Sequence, residues 1–146
     1  MAVLTRFSHY ILGHAIIDRE HREIYDALIA LWRTTPPDLY PEQIQHALSV
    51  SSAHFEREDS LMIATDYPFV RSHLEVHFDF EQKILNVIKH PTKDNLEGII
   101  AEFLHHIDFY DRPFVDYLIG IQYKFDNYNY SKYSNNEVSQ SSYHIK

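Results

Sequence analysis

Apolar residues recur with the period of an α-helix in four long segments of the chain. Side chains three and four positions apart share one face of a helix, so this pattern predicts four helices, over about residues 18–33, 41–64, 68–89 and 93–120. The connections between the segments are short, and each contains proline, which ends a helix. Short connections favour antiparallel neighbours. The pattern therefore predicts an all-α, up-down-up-down four-helix bundle, with Asp18 as the N-cap of its first helix.

The two ends of the chain do not follow this period. Residues 1–17 precede the first helix and are predicted to form an N-terminal arm that packs on the bundle. Residues 121–146 lose the apolar period and gain asparagine, serine and tyrosine, which is typical of a polar surface extension. The predicted organisation is thus one helical domain over 1–120 and a polar C-terminal extension over 121–146.

Composition excludes several kinds of function. The 146 residues suit one domain, and a hydrophobic fraction of 45% is enough for a core. A formal charge of −8 disfavours nucleic acid as a partner, since phosphate binding needs a basic face. With no cysteine, the chain has neither disulfides nor thiolate metal sites. No secretion signal or membrane-spanning run is visible, so the expected location is the cytoplasm, away from membranes.

Seven ionisable residues interrupt the apolar stripes of the predicted helices. They are His21, His54, Glu58, His73, His77, His106 and Asp111. Two pairs have a spacing of four, which places both side chains of a pair on one helix face. In an antiparallel bundle, all seven fall near the end at which the first helix begins. At about 1.5 Å per residue, they can occupy a single layer of the core.

A metal centre explains this common layer better than seven unrelated buried residues do. One histidine on an apolar stripe is usually a hydrogen-bonded core residue, but burying seven such groups without partners costs several kcal/mol. Seven ligands are too many for one ion and suit two ions that share carboxylates. Imidazole and carboxylate together favour iron or manganese, with a di-iron centre as the preferred interpretation.

One spacing does not fit a regular helix. His106 and Asp111 are five residues apart, which separates them by about 140° around an α-helix. A local widening of the π-helical type would bring the two side chains onto one face. Pro113 lacks a backbone donor and should bend the helix nearby.

These motifs resemble those of the hemerythrin family, in its bacterial single-domain form (bacteriohemerythrin). The matching elements follow one another in the family's order over roughly residues 10–118. They are Ile17-Asp18-Arg19-Glu20-His21, then HFEREDSLM from His54, then Tyr67-Pro68 with His73-Leu74-Glu75-Val76-His77, and finally His106-Ile107-Asp108-Phe109-Tyr110-Asp111. All seven ligand positions of the family pattern are filled.

The resemblance implies a left-turning four-helix bundle around a non-haem di-iron centre with an oxo or hydroxo bridge. It implies that one iron is bound by three histidines and the other by His21 and His54, with Glu58 and Asp111 bridging the two irons. The three histidines of the first iron are His73, His77 and His106. The second iron then has a vacant position, at which O2 binds reversibly. Phe55 is expected to pack beside the site and keep it dry.

The chain departs from the family pattern at three places near the site. Glu20 stands where the family often has glutamine. Asp59 stands where the family has a second glutamate, directly after the bridging one. Glu102-Phe103 stands where a Trp-Leu pair is common. In the family, the last of these positions borders the ligand pocket, so the change there bears on O2 affinity and autoxidation rate. His105 could compete with His106 as the ligand. His106 is favoured because it precedes Ile107 and has the aspartate at the family spacing.

Three functions follow as alternatives. The favoured one is reversible O2 binding for storage, delivery or sensing, which is not an enzymatic role. The second is a di-iron redox enzyme of the oxidase, peroxidase or nitric oxide reductase type. A histidine-rich site stabilises bound oxygen better than it cleaves the O–O bond, and this favours carriage. The third is a redox signalling module, in which 121–146 contacts a protein partner.

Overall fold

Four long α-helices form a bundle in the computed structural model, which describes residues 7–34, 41–122 and 124. We number these helices α1 (Ala15–Thr34), α2 (Pro41–Ala64), α3 (Val70–Lys89) and α4 (Lys93–His106). Helix α1 packs against α2 and α4, and α3 packs against the same two helices, so each helix contacts two neighbours. The all-α four-helix prediction is therefore confirmed, and no strand occurs in the part of the chain that the structure describes.

The first helix begins three residues earlier than the sequence suggested. The N-cap prediction for Asp18 is wrong, because the backbone N–H of Ile17 donates to His14 Nδ1 at 3.3 Å and α1 begins at Ala15. The Asp18 carboxylate instead accepts hydrogen bonds from the backbone N–H groups of Leu12, at 2.8 Å, and Gly13, at 3.0 Å. Asp18 thus holds the preceding chain against the first turn of α1. Short acidic side chains near a helix start often accept hydrogen bonds from the backbone in this way.

The N-terminal arm packs on the bundle where the structure describes it. A short 3₁₀ helix, Phe7–Tyr10, buries Phe7 against Tyr25 of α1, with ring centroids 4.8 Å apart. Gly13 then has a φ of 96°, a conformation that glycine adopts without steric cost, and the chain turns into α1. The prediction of an arm packed on the bundle is confirmed for residues 7–14, whereas residues 1–6 lie outside the described residues.

The connection between α2 and α3 is a tight turn. The backbone N–H groups of Thr65 and Tyr67 donate to carbonyls in the last turn of α2, and Asp66 has a φ of 54°, which aspartate tolerates. At the start of α4, Thr92 caps the helix by accepting a hydrogen bond from the backbone N–H of Asn95. These short connections place α3 beside both α2 and α4.

A π-helical turn follows α4. It spans Ile107–Asp111, and the N–H of Arg112 donates to the carbonyl of Ile107, five residues earlier. The widening inferred from the spacing of His106 and Asp111 is therefore confirmed. The chain is helical again over 112–115, and the bend expected at Pro113 stays a prediction.

The chain divides into two compact units, Met1–Val115 and Asp116–Lys146. The first contains the bundle. Of the second, the structure describes 116–122 and 124, all helical, so most of the predicted 121–146 extension lies outside the described residues. The boundary at 120 stays a prediction. Among the described helices, none has the length and apolar character needed to cross a membrane.

Candidate metal centre

The seven ionisable residues selected from the sequence lie together in the core. Each is at most 2% exposed. Helix α1 contributes His21, α2 contributes His54 and Glu58, and α3 contributes His73 and His77. Helix α4 contributes His106, and the π-helical turn brings Asp111 to the same layer. Every helix of the bundle therefore supplies part of the cluster.

The nitrogen and oxygen atoms of these side chains form two groups that share two carboxylates. Within each group, one donor atom from every residue lies within 4.8 Å of the others. The larger group contains His73, His77, His106, Glu58 and Asp111. The smaller contains His21, His54, Glu58 and Asp111. Two neighbouring ion sites with Glu58 and Asp111 between them fit this arrangement.

The distances within the cluster are those expected between ligands of one ion. Six contacts between a histidine Nε2 and a carboxylate oxygen measure 2.9–3.2 Å. These atoms nevertheless have no hydrogen-bond partner in the described residues, so they approach without being directed at one another. Ligands about 2.1 Å from one ion and at right angles to each other lie about 3 Å apart. The donor set and its spacing therefore fit metal binding.

The carboxylates and histidines stabilise each other's charged forms. Burial and the charge of Asp111 act to raise the pKa of Glu58, but contacts with His54, His73 and His77 outweigh them and hold it well below its usual value. Burial acts to lower the pKa of His54, yet Glu20 and Glu58 raise it to about 10. Burial also acts to lower the pKa of His73, but Asp111 and Glu58 raise it to about 9. The metal-free core thus carries compensating charges.

Metal uptake by the metal-free protein is expected to release protons. Because the pKa values of His54 and His73 are raised to about 10 and about 9, both imidazoles are protonated at pH 7, and a metal needs them neutral. We expect at least two protons per chain at pH 7 and an apparent affinity that falls as the pH is lowered. Titration of the weakly buffered metal-free protein with Zn²⁺, followed with a pH indicator, measures this. Binding without proton release would contradict it.

Two acids outside the cluster hold the far side of two histidine rings. Asp59 Oδ1 lies 2.5 Å from His77 Nδ1, and Glu20 Oε1 lies 3.3 Å from His54 Nδ1. With Nε2 of each ring facing the cluster, Nδ1–H is the donor, and the carboxylate fixes the tautomer and orientation of the ring. The sequence drew attention to both acids as departures, but it did not predict these contacts.

The structure separates the two neighbouring histidines of α4. His106 is buried in the cluster, whereas His105 is exposed and stacks on Phe109, with ring centroids 5.1 Å apart. His106 is thus the one that reaches the other ionisable side chains, as the sequence favoured.

Aromatic rings surround the cluster. Phe55 is 1% exposed, and its ring centroid lies 4.4 Å from that of His77 and 5.6 Å from that of His54. Phe103 is fully buried, with its ring centroid 5.9 Å from that of His21. These rings separate the ionisable layer from the rest of the core and limit the entry of water.

Two surface cavities reach the cluster from different sides. A cavity of about 450 Å³ lies between α1 and α2, where Ile16, Ile17 and Leu61 line it together with Glu58. A cavity of about 260 Å³ between α3 and α4 is lined by His106 and Tyr110, and by Lys83 and Glu102, which form an ion pair. Sequence reasoning did not predict either cavity, because each depends on residues from two helices.

Comparison with known proteins identifies a relative that matches more than half of the chain. The chain is 35% identical over 97 residues to a hemerythrin subunit of Sipunculus nudus, and the alignment covers 64% of this chain and 77% of that protein. No family model matches the chain.

Proposed function

The chain belongs to the hemerythrin family, and we propose that it binds O2 reversibly at a non-haem di-iron centre, for oxygen storage, delivery or sensing. The observation that carries this proposal is the pair of buried ligand groups that share Glu58 and Asp111. Repeated cycles of O2 exposure and removal test it. A carrier returns to its starting state in each cycle, whereas a protein that consumes O2 does not.

The proposed ligands follow the two groups. His73, His77 and His106 would bind one iron, and His21 and His54 the other, with Glu58 and Asp111 bridging the pair beside an oxo or hydroxo group. The group with two histidines has one protein ligand fewer than the group with three, so O2 would bind at that side. When bound, the two ferrous ions supply the electrons for reversible O2 binding.

Residues around the cluster favour reversible binding in three further ways. Phe55 and Phe103 exclude bulk water from the layer, which protects a reduced centre from side reactions. Glu20 and Asp59 fix the rings of His54 and His77. The two shared carboxylates supply negative charge that offsets the charge of the ions, which makes their burial less costly.

We assign the cavity between α1 and α2 as the entrance for O2. It is lined by Glu58, which belongs to both ligand groups, and also by Glu20 and Arg57. Most of its wall surface is apolar, which suits an apolar gas. Leu61→Trp should fill part of this cavity and slow O2 uptake by about tenfold or more, leaving iron content unchanged. Stopped-flow mixing of the reduced protein with O2 measures the rate.

Leu48→Trp is the matched control for this prediction. Leu48 is a half-buried leucine of the same helix, and the cavity that it lines, of about 300 Å³, contains none of the seven cluster residues. Its substitution should leave the rate unchanged. Equal rates in wild type and Leu61→Trp would exclude this cavity as the entrance.

The second candidate is a di-iron redox enzyme, and one observation favours it. Tyr110 lines the polar cavity between α3 and α4, and its ring centroid lies 5.5 Å from that of His106. An enzyme must deliver protons and electrons to the centre, whereas a carrier need not. Sustained turnover of peroxide or nitric oxide with a reductant, lost in Tyr110→Phe, would support the enzyme over the carrier.

A further inference from the structure

We propose that Glu20 and Arg57 form a charge-compensated pair that positions His54 and tunes the reduction potential of the metal centre. Glu20 lowers the potential and Arg57 opposes this effect. The inference rests on the proposed function, because it requires a bound iron pair. Glu20 and Arg57 act through His54 and are positioning residues.

The pair links the metal centre to the surface. One Glu20 oxygen, Oε1, lies 3.3 Å from His54 Nδ1. The other, Oε2, accepts a hydrogen bond from Arg57 Nε and forms an ion pair with Arg57 Nη2. The Glu20 side chain is 6% exposed and that of Arg57 is 58% exposed. A carboxylate so buried needs a partner on each oxygen, and these two residues supply them.

The orientation of His54 gives the pair its influence on the metal. His54 Nε2 lies 3.2 Å from Glu58 Oε2 and faces the cluster, so its Nδ1–H points outward to Glu20. A carboxylate acceptor on the outer N–H raises the electron density of the imidazole. A more basic ligand stabilises the ferric state relative to the ferrous state, which lowers the reduction potential.

Arg57 is expected to weaken this effect. Its positive charge lies against Glu20 Oε2 and reduces the negative charge that His54 experiences through Oε1. Two guanidinium nitrogens contact the same oxygen, Oε2, and this charge-assisted contact also fixes the direction of the acid. Loss of Arg57 should thus leave a stronger acceptor on His54 and a less constrained ring.

Asp59 offers an internal comparison. It accepts from His77 Nδ1 at 2.5 Å, and in the described part of the chain its ion pair is with that histidine, without an arginine or lysine. The two acids therefore act on different ligand groups, and cationic compensation is found at Glu20. A change at Arg57 should alter the contribution of Glu20 and leave that of Asp59 as it was.

The experiment measures the reduction potential of iron-loaded wild type, Glu20→Gln, Arg57→Gln and the double variant. We expect Glu20→Gln to raise the potential and Arg57→Gln to lower it. Arg57→Lys should restore most of the wild-type behaviour. In the Glu20→Gln background, Arg57→Gln should have a much smaller effect, since the two residues act as a unit.

A second readout does not depend on iron redox chemistry. Titration of the metal-free variants with Zn²⁺ should show weaker binding of one of two ions in Glu20→Gln, by about tenfold, as is typical when the outer partner of a histidine ligand is lost. Asp59→Asn is the control background for the potential measurements. Adding Arg57→Gln to Asp59→Asn should shift the potential as much as adding it to wild type.

Several outcomes would overturn the inference. These are a potential unchanged in both single variants, shifts of the same sign, or strictly additive shifts in the double variant. Because the Arg57 side chain is mostly exposed, its substitutions should leave the fold intact. A wild-type protein that binds no iron would overturn the proposed function as well, whereas normal iron loading with unshifted potentials would overturn this inference alone.

Discussion

Removing the metal ions should lower the melting temperature by more than about 10 °C. The seven cluster residues bury nitrogen and oxygen atoms that lack hydrogen-bond partners in the described residues, and bound ions would satisfy them. An ion present at about 1,000 times its dissociation constant stabilises a protein by about 4 kcal/mol. Each kcal/mol corresponds to about 2–4 °C for a domain near this size. Two ions therefore account for a large shift.

Thermal unfolding followed by circular dichroism compares the iron-loaded protein with the chelator-treated protein. The metal-free chain should remain helical at about 20 °C, near the usual temperature of maximum stability, because its histidines and carboxylates compensate each other's charge. Adding Zn²⁺ back should restore most of the loss without redox chemistry. Equal melting temperatures with and without metal would show that the cluster is a structural network that needs no ion.

Substitutions in the cluster should change metal content according to the number of groups that each residue serves. Asp111 belongs to both groups and contacts His21, His73 and His106, so Asp111→Asn should reduce iron from two ions per chain to fewer than one. His54 belongs to the smaller group alone, and His54→Ala should remove about one ion. His105→Ala, at an exposed position beside His106, should retain both.

Metal analysis of protein loaded under anaerobic conditions, with helicity measured on the same samples, tests this ordering. Outer partners of a metal site typically change affinity by about 10–100-fold, and a shared ligand should do more. Full retention of two ions in Asp111→Asn would exclude its bridging role. Loss of metal in His105→Ala would assign the ligand role to His105 instead of His106.

The sequence predicted those features that depend on periodicity and spacing. Four helices followed from apolar repeats, and the common layer of ionisable residues followed from their positions in an antiparallel bundle. The five-residue spacing of His106 and Asp111 was also sufficient to predict a π-helical turn, because a regular helix would turn one side chain away. These features follow from the spacing of residues along a helix, so a single sequence is enough to predict them.

Other features could not be read from one sequence. The contact between Glu20 and Arg57 joins residues 37 positions apart on different helices, and no periodic signal pairs them. The N-cap prediction failed for a related reason. Asp18 suits a cap by residue type, but it accepts from the backbone of the arm, and His14 accepts from the first turn of α1 instead. Cavities depend on how two helices pack, which composition does not determine.

The most direct test of the central claim is an O2 titration of anaerobically reconstituted, reduced protein, with iron content and visible spectrum measured on the same sample. We predict two irons per chain, and an absorption band that appears with O2, saturates near one O2 per chain and disappears when O2 is removed over several cycles. Irreversible oxidation in the first cycle, or the absence of stoichiometric iron binding, would contradict reversible O2 binding at a di-iron centre.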